Sequence, residues 1–473
     1  NLTIKGGTIN GDVYAGGMAD GAGAQANVTT ANLTIKGGTI NGGVYAGGYA
    51  LQEGTAAVTN ATVTFDGNSS FAKTVQGGKA TNSTLAFTNY NGTFNGQVVG
   101  FDKLNVADGS TLKLQTLSTG GASEGDKAGV FNKKALTLAS AGNVEAEAVN
   151  VVTGNGLTVQ DGTLTVTKTL KSAEAGGENG KTGINVSGNG VLRAADSLLV
   201  KKNEESISIA ADLQHQLYLG QGGTLAVTGL SSISTADMQT YRSVLVAGGT
   251  GLIKYEGADI TISDGHETDS SNLKGSVAEA TGALLTGTTV EYGDPASTSN
   301  TTTIQGGYGA ETVLISNAAD GHHTVKLNGD LTLLGDGKNL ITVNEGATLS
   351  TVTVADNTAL NLGSAAAPSQ GGTLGEAHIT LGNNSSLNAV AGNYTVGDVT
   401  GTGAVTANTG ANLNTGKIEA QAVTADAANI KAADDVTAND INLAKGGSVT
   451  SDKNIKVNGS IEDADGTLQA GGN

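Results

Sequence analysis

The chain lacks cysteine and tryptophan altogether, and its 473 residues include 2 Pro, 6 Phe and 10 Tyr. Without cysteine there are no disulfides, thiolate metal sites or cysteine nucleophiles. Without tryptophan and with few tyrosines, a long aromatic-lined sugar cleft is poorly supplied. Charge is also scarce, at 14% against about 25% in an ordinary domain. The net charge is −18 and no basic cluster stands out, since Lys201-Lys202 is followed by Glu204-Glu205. Nucleic acid is therefore excluded as a partner, because phosphate neutralisation needs clustered Lys and Arg. No stretch approaches the roughly 20 apolar residues of a membrane helix. The chain opens at Asn1 with neither Met nor a basic-then-apolar leader, so a fragment of a longer protein is expected.

Glycine and repetition are abundant. There are 73 Gly, and apolar residues make up 38%, enough for a core of Val, Ile, Leu and Ala rather than aromatics. Asn1–Gly17 reads NLTIKGGTINGDVYAGG, and Asn32–Gly48 repeats it except that Asp12 becomes Gly43. Val13, Val44 and Val75 continue the 31-residue spacing. A decayed third copy runs through Val63–Phe65 and Val75–Gly78, and a shorter fourth through Leu85–Phe87 and Val98–Gly100. Within a copy, Leu2–Ile4, Thr8–Asn10 and Val13–Ala15 read as three short strands separated by glycines. Asn10-Gly11 and Asn41-Gly42 suit hairpin turns, yet strands of about three residues are too short for stable hairpins. Coiling is favoured instead, with each unit covering the next.

Phe101–Leu114 reads as strand, Asp108-Gly109 turn, strand. The phrase returns at Leu157–Val166, Leu331–Val343 and Ile341–Val354. Near the end, VTAD at Val423, VTAN at Val436 and VTSD at Val449 are spaced by 13 residues. They are expected to be successive strands on faces of one coil. At roughly 20 residues and about 4.8 Å per circuit, the chain would make about 20 to 25 circuits, a rod on the order of 100 Å long. One helix is expected, over Ser234–Val246, where Ser234 and Asp237 resemble a capping box. Three regions follow: a repeat β-helix over 1–115, an irregular β-helix with loops and the helix over 116–300, and C-terminal rungs over 301–473. The fold class is all-β, a right-handed parallel β-helix (β-solenoid).

Motifs that carry chemistry are weak. Ala175–Thr182, AGGENGKT, has Ala where a phosphate loop begins with Gly, and Gly183–Val186 after it reads as strand. Gly306–Leu314 fits a calcium nonapeptide except for Glu311, and no neighbouring copy exists to share the ion. Ser123 sits in a G-x-S-x-G match without the strand and helix of a nucleophile elbow. His215, His266, His322, His323 and His378 form no metal-ligand motif, and the adjacent His322 and His323 would point opposite ways in a strand. No catalytic, cofactor-binding or metal-ligating residue is assigned. Tyr14 and Tyr45 would stack one circuit apart, as an exposed aromatic ladder or as a stabilising pair.

GGTINGDVYAGG (Gly6–Gly17), GFDKLNVADGSTLKL (Gly100–Leu114) and the run Val436–Ile461 resemble passenger regions of Gram-negative autotransporters. They are also similar to filamentous haemagglutinin-type surface adhesins. The resemblance covers both ends and the middle less, and it implies display at the cell surface or release, with membrane attachment only through a C-terminal β-barrel. The last residues show no such barrel strands. It implies no catalytic residues. The expected function is an adhesin or stalk meeting a host or neighbouring-cell receptor, glycan or matrix. The alternatives are a polysaccharide-active enzyme and an ice- or matrix-binding solenoid.

Overall fold

The computed structural model describes residues 1–68, 73–77, 80–120, 128–132, 135–177, 182–203, 206–234, 241, 245–249, 251–256, 259–263, 290–292, 299–304, 308–310, 313–315, 322–327, 331–333, 341–343, 348–363, 371–463 and 465–472. Nearly all their regular structure is strand, and almost every pairing is parallel. The fold is a parallel β-solenoid. Two compact units form: Asn1–Thr228 with Thr240–Ile253, and Gly229–Gln239 with Lys254–Asn473. No helix among the described residues is long and apolar enough to cross a membrane.

In the first unit the 31-residue repeat is one circuit. Leu2, Thr3 and Ile4 pair with Leu33, Thr34 and Ile35, and Val13 with Val44, which pairs in turn with Val75. The decayed copies stack as expected: Val63 and Phe65 on Leu85 and Phe87, Val75 on Val98. The circuit holds more strand than three short pieces, however. Met18–Asp20 is a fourth, and Gln25–Ile35 runs for 11 residues before rejoining the repeated phrase. In the stretch GAGAQANVTT the alternating residues Ala22, Ala24, Ala26 and Val28 are small, so the apolar signal of a strand is weak. Its ladder comes from its neighbour, with Gln25–Val28 pairing onto Thr55–Val58.

The Asp-Gly phrases behave in two ways. At Asp108-Gly109 the chain turns between Lys103–Val106 and Thr111–Ser118, which pair with other circuits and not with each other. At Asp161-Gly162 there is no turn: Gly156–Ser172 is a single 17-residue strand. Its register against Leu136–Val151 slips between Leu138 and Asn143, beside that dipeptide. Gly162 has φ 70, and an added Cβ would lie 2.3 Å from the Gly142 carbonyl oxygen. The dipeptide stays extended at a register irregularity, opposite the unpaired Ser140–Gly142, where a turn is expected.

The core is partly aromatic, contrary to the expectation of small branched residues alone. Phe65, Phe87, Phe94, Phe101 and Phe131 are all buried in the first unit. Phe65 and Phe87 stack at 5.4 Å, with Phe94 edge-on to both and Tyr90 edge-on to Phe87. Asn132 is also fully buried, its amide both accepting from the Phe101 N–H and donating to the Phe101 carbonyl. Further on, a four-residue helix, Asp196–Leu199, leads into the antiparallel hairpin Val200–Asn203 with Ser206–Ile209.

The second unit has three faces. Val352, Ile379, Val399, Ile418 and Val436 stack as one inward column. Leu360, Leu387, Val405, Val423 and Ile441 form the second, and Tyr394, Leu413, Ile430 and Val449 the third. All are at most 1% exposed, so each contributes the roughly 1.5–3 kcal/mol of a fully buried aliphatic or more. The 13-residue VTxx spacing is not the circuit. Val423, Val436 and Val449 lie one on each face, and stacked partners are 17 to 20 residues apart. The helix expected over Ser234–Val246 falls largely outside the described residues. Its ends belong to the strands Ser232–Ser234 and Val246–Gly248, while the two described residues inside it, Tyr241 and Leu245, are helical and buried.

Candidate functional surface

Strand alternation sends every second side chain outward, and parallel in-register stacking brings equivalent outward residues of successive circuits together. In the second unit this builds polar ladders. On the third face Asn412 donates to Asn393 Oδ1 at 2.7 Å, Asn429 to Asn412 Oδ1 at 2.7 Å, and Ser448 to Asn429 Oδ1 at 2.6 Å. The second face carries Asn361, Asn388, Thr406, Thr424, Asn442 and Glu462 in register. The first carries Thr353, Thr380 and Thr400, followed by Glu419, Thr437 and Lys456. Neither is a pure threonine rank, so the flat regular lattice expected of an ice-binding face is interrupted. Each rung can present amide and hydroxyl groups at about the 4.8 Å strand spacing.

The corners are fastened by carboxylates that accept from the next circuit. Asp398 takes the Lys417 N–H at 2.7 Å, and Asp356 the Asn383 N–H at 2.7 Å. Asp440 takes both the N–H and the hydroxyl of Ser460, which hold its carboxyl below the usual range. Lys453 does the same to Asp434 through an ion pair at 2.9 Å, aided by the Asp435 N–H, and is itself raised by that partner. In the first unit Lys36 pairs with Asp66 at 2.7 Å and, with Asn89, lowers its pKa.

In the first unit Tyr14 and Tyr45 stack as expected, with ring centres 4.7 Å apart and planes within 11°. Tyr49 joins them at 4.8 Å from Tyr14. All three are half-buried. The Tyr14 hydroxyl donates to Asp12 at 3.3 Å, and partial burial, then the Asp12 charge, raises its pKa. Asp12 also accepts the Gly43 N–H at 2.7 Å. At Gly43 an added Cβ would stand 2.8 Å from the Tyr45 ring. The single difference between the two copies thus has a packing reason.

A groove of about 620 Å³ lies beside the first face, lined by Glu376, His378, Thr395 and Asp398 together with Gly397 and Gly416. His378 Nε2 lies 2.8 Å from Thr400 Oγ1. His215 is exposed at positive φ, His322 and His323 begin the strand His322–Leu327, and His266 lies outside the described residues. Ser123 and Glu311 also lie outside them. After AGGENGKT the chain enters the strand Gly183–Val186, not the helix that a phosphate loop needs. No group of three His, Asp or Glu among the described residues is placed to hold a metal ion. The groove escaped the sequence reading because its residues, 375 to 433, come from successive circuits and share no local motif. Comparison of the chain with family models, with curated proteins and with solved structures gave no match to any of them.

Proposed function

We propose that this chain is a surface-displayed or secreted passenger of autotransporter type, acting as an adhesin or structural stalk. The observation that carries the reading is the set of in-register outward ladders, typified by Asn393, Asn412, Asn429 and Ser448 over a buried apolar column. Such a surface offers the same weak contact many times, and linked weak contacts gain avidity without any strong single site. Its partner is a host or neighbouring-cell receptor, glycan or matrix. Attachment to the outer membrane would come from a β-barrel encoded downstream in the same reading frame.

Beads coated with the purified chain, with its second unit alone, or with albumin test adhesion on cultured cells and on matrix-coated plates. Adhesion that rises with coating density and is lost when Asn393, Asn412 and Asn429 are replaced by Lys supports the reading. Adhesion no greater than that of albumin at every density overturns the adhesin role. Among the described residues, the groove beside the first face gives a polysaccharide-active reading a place, because Glu376 and Asp398 both line it. Release of reducing ends from soluble polysaccharides, abolished by Glu376→Gln or Asp398→Asn, would favour that reading instead.

A further inference from the structure

Seven Asn-Gly dipeptides lie within the described residues, at Asn10, Asn41, Asn91, Asn95, Asn155, Asn189 and Asn458. Asn-Gly is the dipeptide most open to self-modification, because glycine leaves its own amide nitrogen unshielded. The folded chain treats the seven differently. Gly190 donates its N–H to the Ser187 carbonyl at 3.0 Å, and Gly459 to the Asn439 carbonyl at 2.7 Å. Gly92 and Gly156 sit inside paired strands. Gly96 is buried, with the Lys73 carbonyl 2.6 Å from where a Cβ would stand. In the repeated phrase, neither Gly11 nor Gly42 donates its N–H in a backbone hydrogen bond to any of the described residues. The twins differ in their surroundings. A Cβ on Gly42 would strike the Gly11 carbonyl at 2.4 Å, whereas no atom lies within 4 Å of one on Gly11. Asn10 and Gly11 are both exposed.

We infer that Asn10 is a site of spontaneous deamidation, selected by the fold from chemically equivalent dipeptides. The Gly11 nitrogen attacks Asn10 Cγ and forms the new C–N bond. The C–N bond to the side-chain amide breaks, and that nitrogen takes up the proton and leaves as ammonia. Water then opens the resulting succinimide at either carbonyl, giving aspartate or isoaspartate, with no change of oxidation state. At Asn189 and Asn458 the same attack must first release a backbone hydrogen bond. A net bond of about 0.5–1.5 kcal/mol corresponds to roughly two- to tenfold in rate.

The product is accommodated in one form and not in the other. Asn10 Oδ1 already accepts from Asn41 at 2.8 Å, and an aspartate keeps that oxygen. Isoaspartate adds a methylene to the main chain between Thr8–Ile9 and Val13–Tyr14, which displaces Tyr14 from its stack on Tyr45.

The test incubates the full folded chain at neutral pH in heavy-oxygen water and maps the label by peptide mass spectrometry. A parallel sample is held in urea. Asn10 is expected to take up label roughly two- to tenfold faster than Asn189 and Asn458 in the folded chain, and the three rates should converge in urea. Equal or faster labelling at Asn189 or Asn458 in the folded chain overturns the inference. A lead of Asn10 that persists undiminished in urea also overturns it, since local sequence would then be the cause.

Discussion

Position 43 shows how much one side chain can matter where copies stack. The two phrases are otherwise identical, and a Cβ at position 43 would stand 2.8 Å from the Tyr45 ring, which would have to shift. Gly43→Ala should therefore cost about 0.5–1.5 kcal/mol, the worth of the aromatic pair it disturbs, read by urea denaturation together with near-ultraviolet dichroism of tyrosine. An unchanged tyrosine signal would show that the stack does not depend on that gap. The charged pairs act at the same scale. Asp66, Asp434 and Asp440 have lowered pKa values, so the stability they add is present above the ordinary carboxylate value of 3.8 and lost as pH falls through their folded values. Lys453 is raised above 10.5, so its contribution is lost only as pH rises beyond that. A broad plateau in melting temperature between these limits is expected. It should narrow in high salt, because the partners are exposed and screened. A maximum confined near neutrality would contradict this.

Among the elements, the Asp-Gly phrases are the instructive case. Asp108-Gly109 and Asp161-Gly162 carry the same local signal, but one turns the chain and the other stays within a continuous strand. Both stack on the same strand, Leu136–Val151, and what differs is slack: opposite Leu138 and Asn143 stand Leu104 and Thr111 in the first phrase, with residues to spare for a turn, but Val159 and Thr163 in the second, with none. Gly162→Val combines a φ of 70 with carbonyl oxygens at 2.3 and 2.4 Å. It should be among the most damaging single changes, lowering the urea midpoint or preventing folding. A wild-type midpoint would remove the irregularity from the account. The phenylalanine cluster was equally illegible from composition, since six Phe in 473 residues suggest no aromatic core. Sequence positions 65, 87 and 94 become neighbours only through stacking. Phe87→Ala should cost about 3–5 kcal/mol by leaving a cavity between Phe65, Phe94 and Tyr90, measured by urea unfolding of the first unit. A loss below about 1 kcal/mol would mean that the cluster collapses to fill the space.

Over the whole chain, the circuit is the unit that can be exchanged. Because residues 31 apart are stacked, deleting Val13–Gly43 joins Asp12 to Val44 in register. That variant should keep a β-sheet dichroism spectrum and a cooperative unfolding transition. Deleting thirteen residues, 424 to 436, removes the third-face strand Asn429–Ala432 and one corner. It should broaden or abolish the transition, although thirteen is the spacing that the repeated VTxx phrases advertise. If the 31-residue deletion proves the more disruptive of the two, the circuit assignment is wrong.

Much of the fold was legible because a solenoid writes its period into the chain. The scarcity of charge, the absence of cysteine, the glycine punctuation and the near-identical copies together determined a parallel β-solenoid. They also placed Val13, Val44 and Val75, and Tyr14 with Tyr45, in columns. Where copies decay, local patterns lose that power, because a strand's partner lies 17 to more than 30 residues away. Contacts at that distance leave no trace in a short window. Tertiary structure alone decided that Asp161-Gly162 does not turn, and that three VTxx phrases occupy three faces. It alone gathered Glu376, His378 and Asp398 around one groove. Each of these outcomes depends on what the adjacent circuit offers, and that is set by register, which the sequence carries only as a sum over the whole unit.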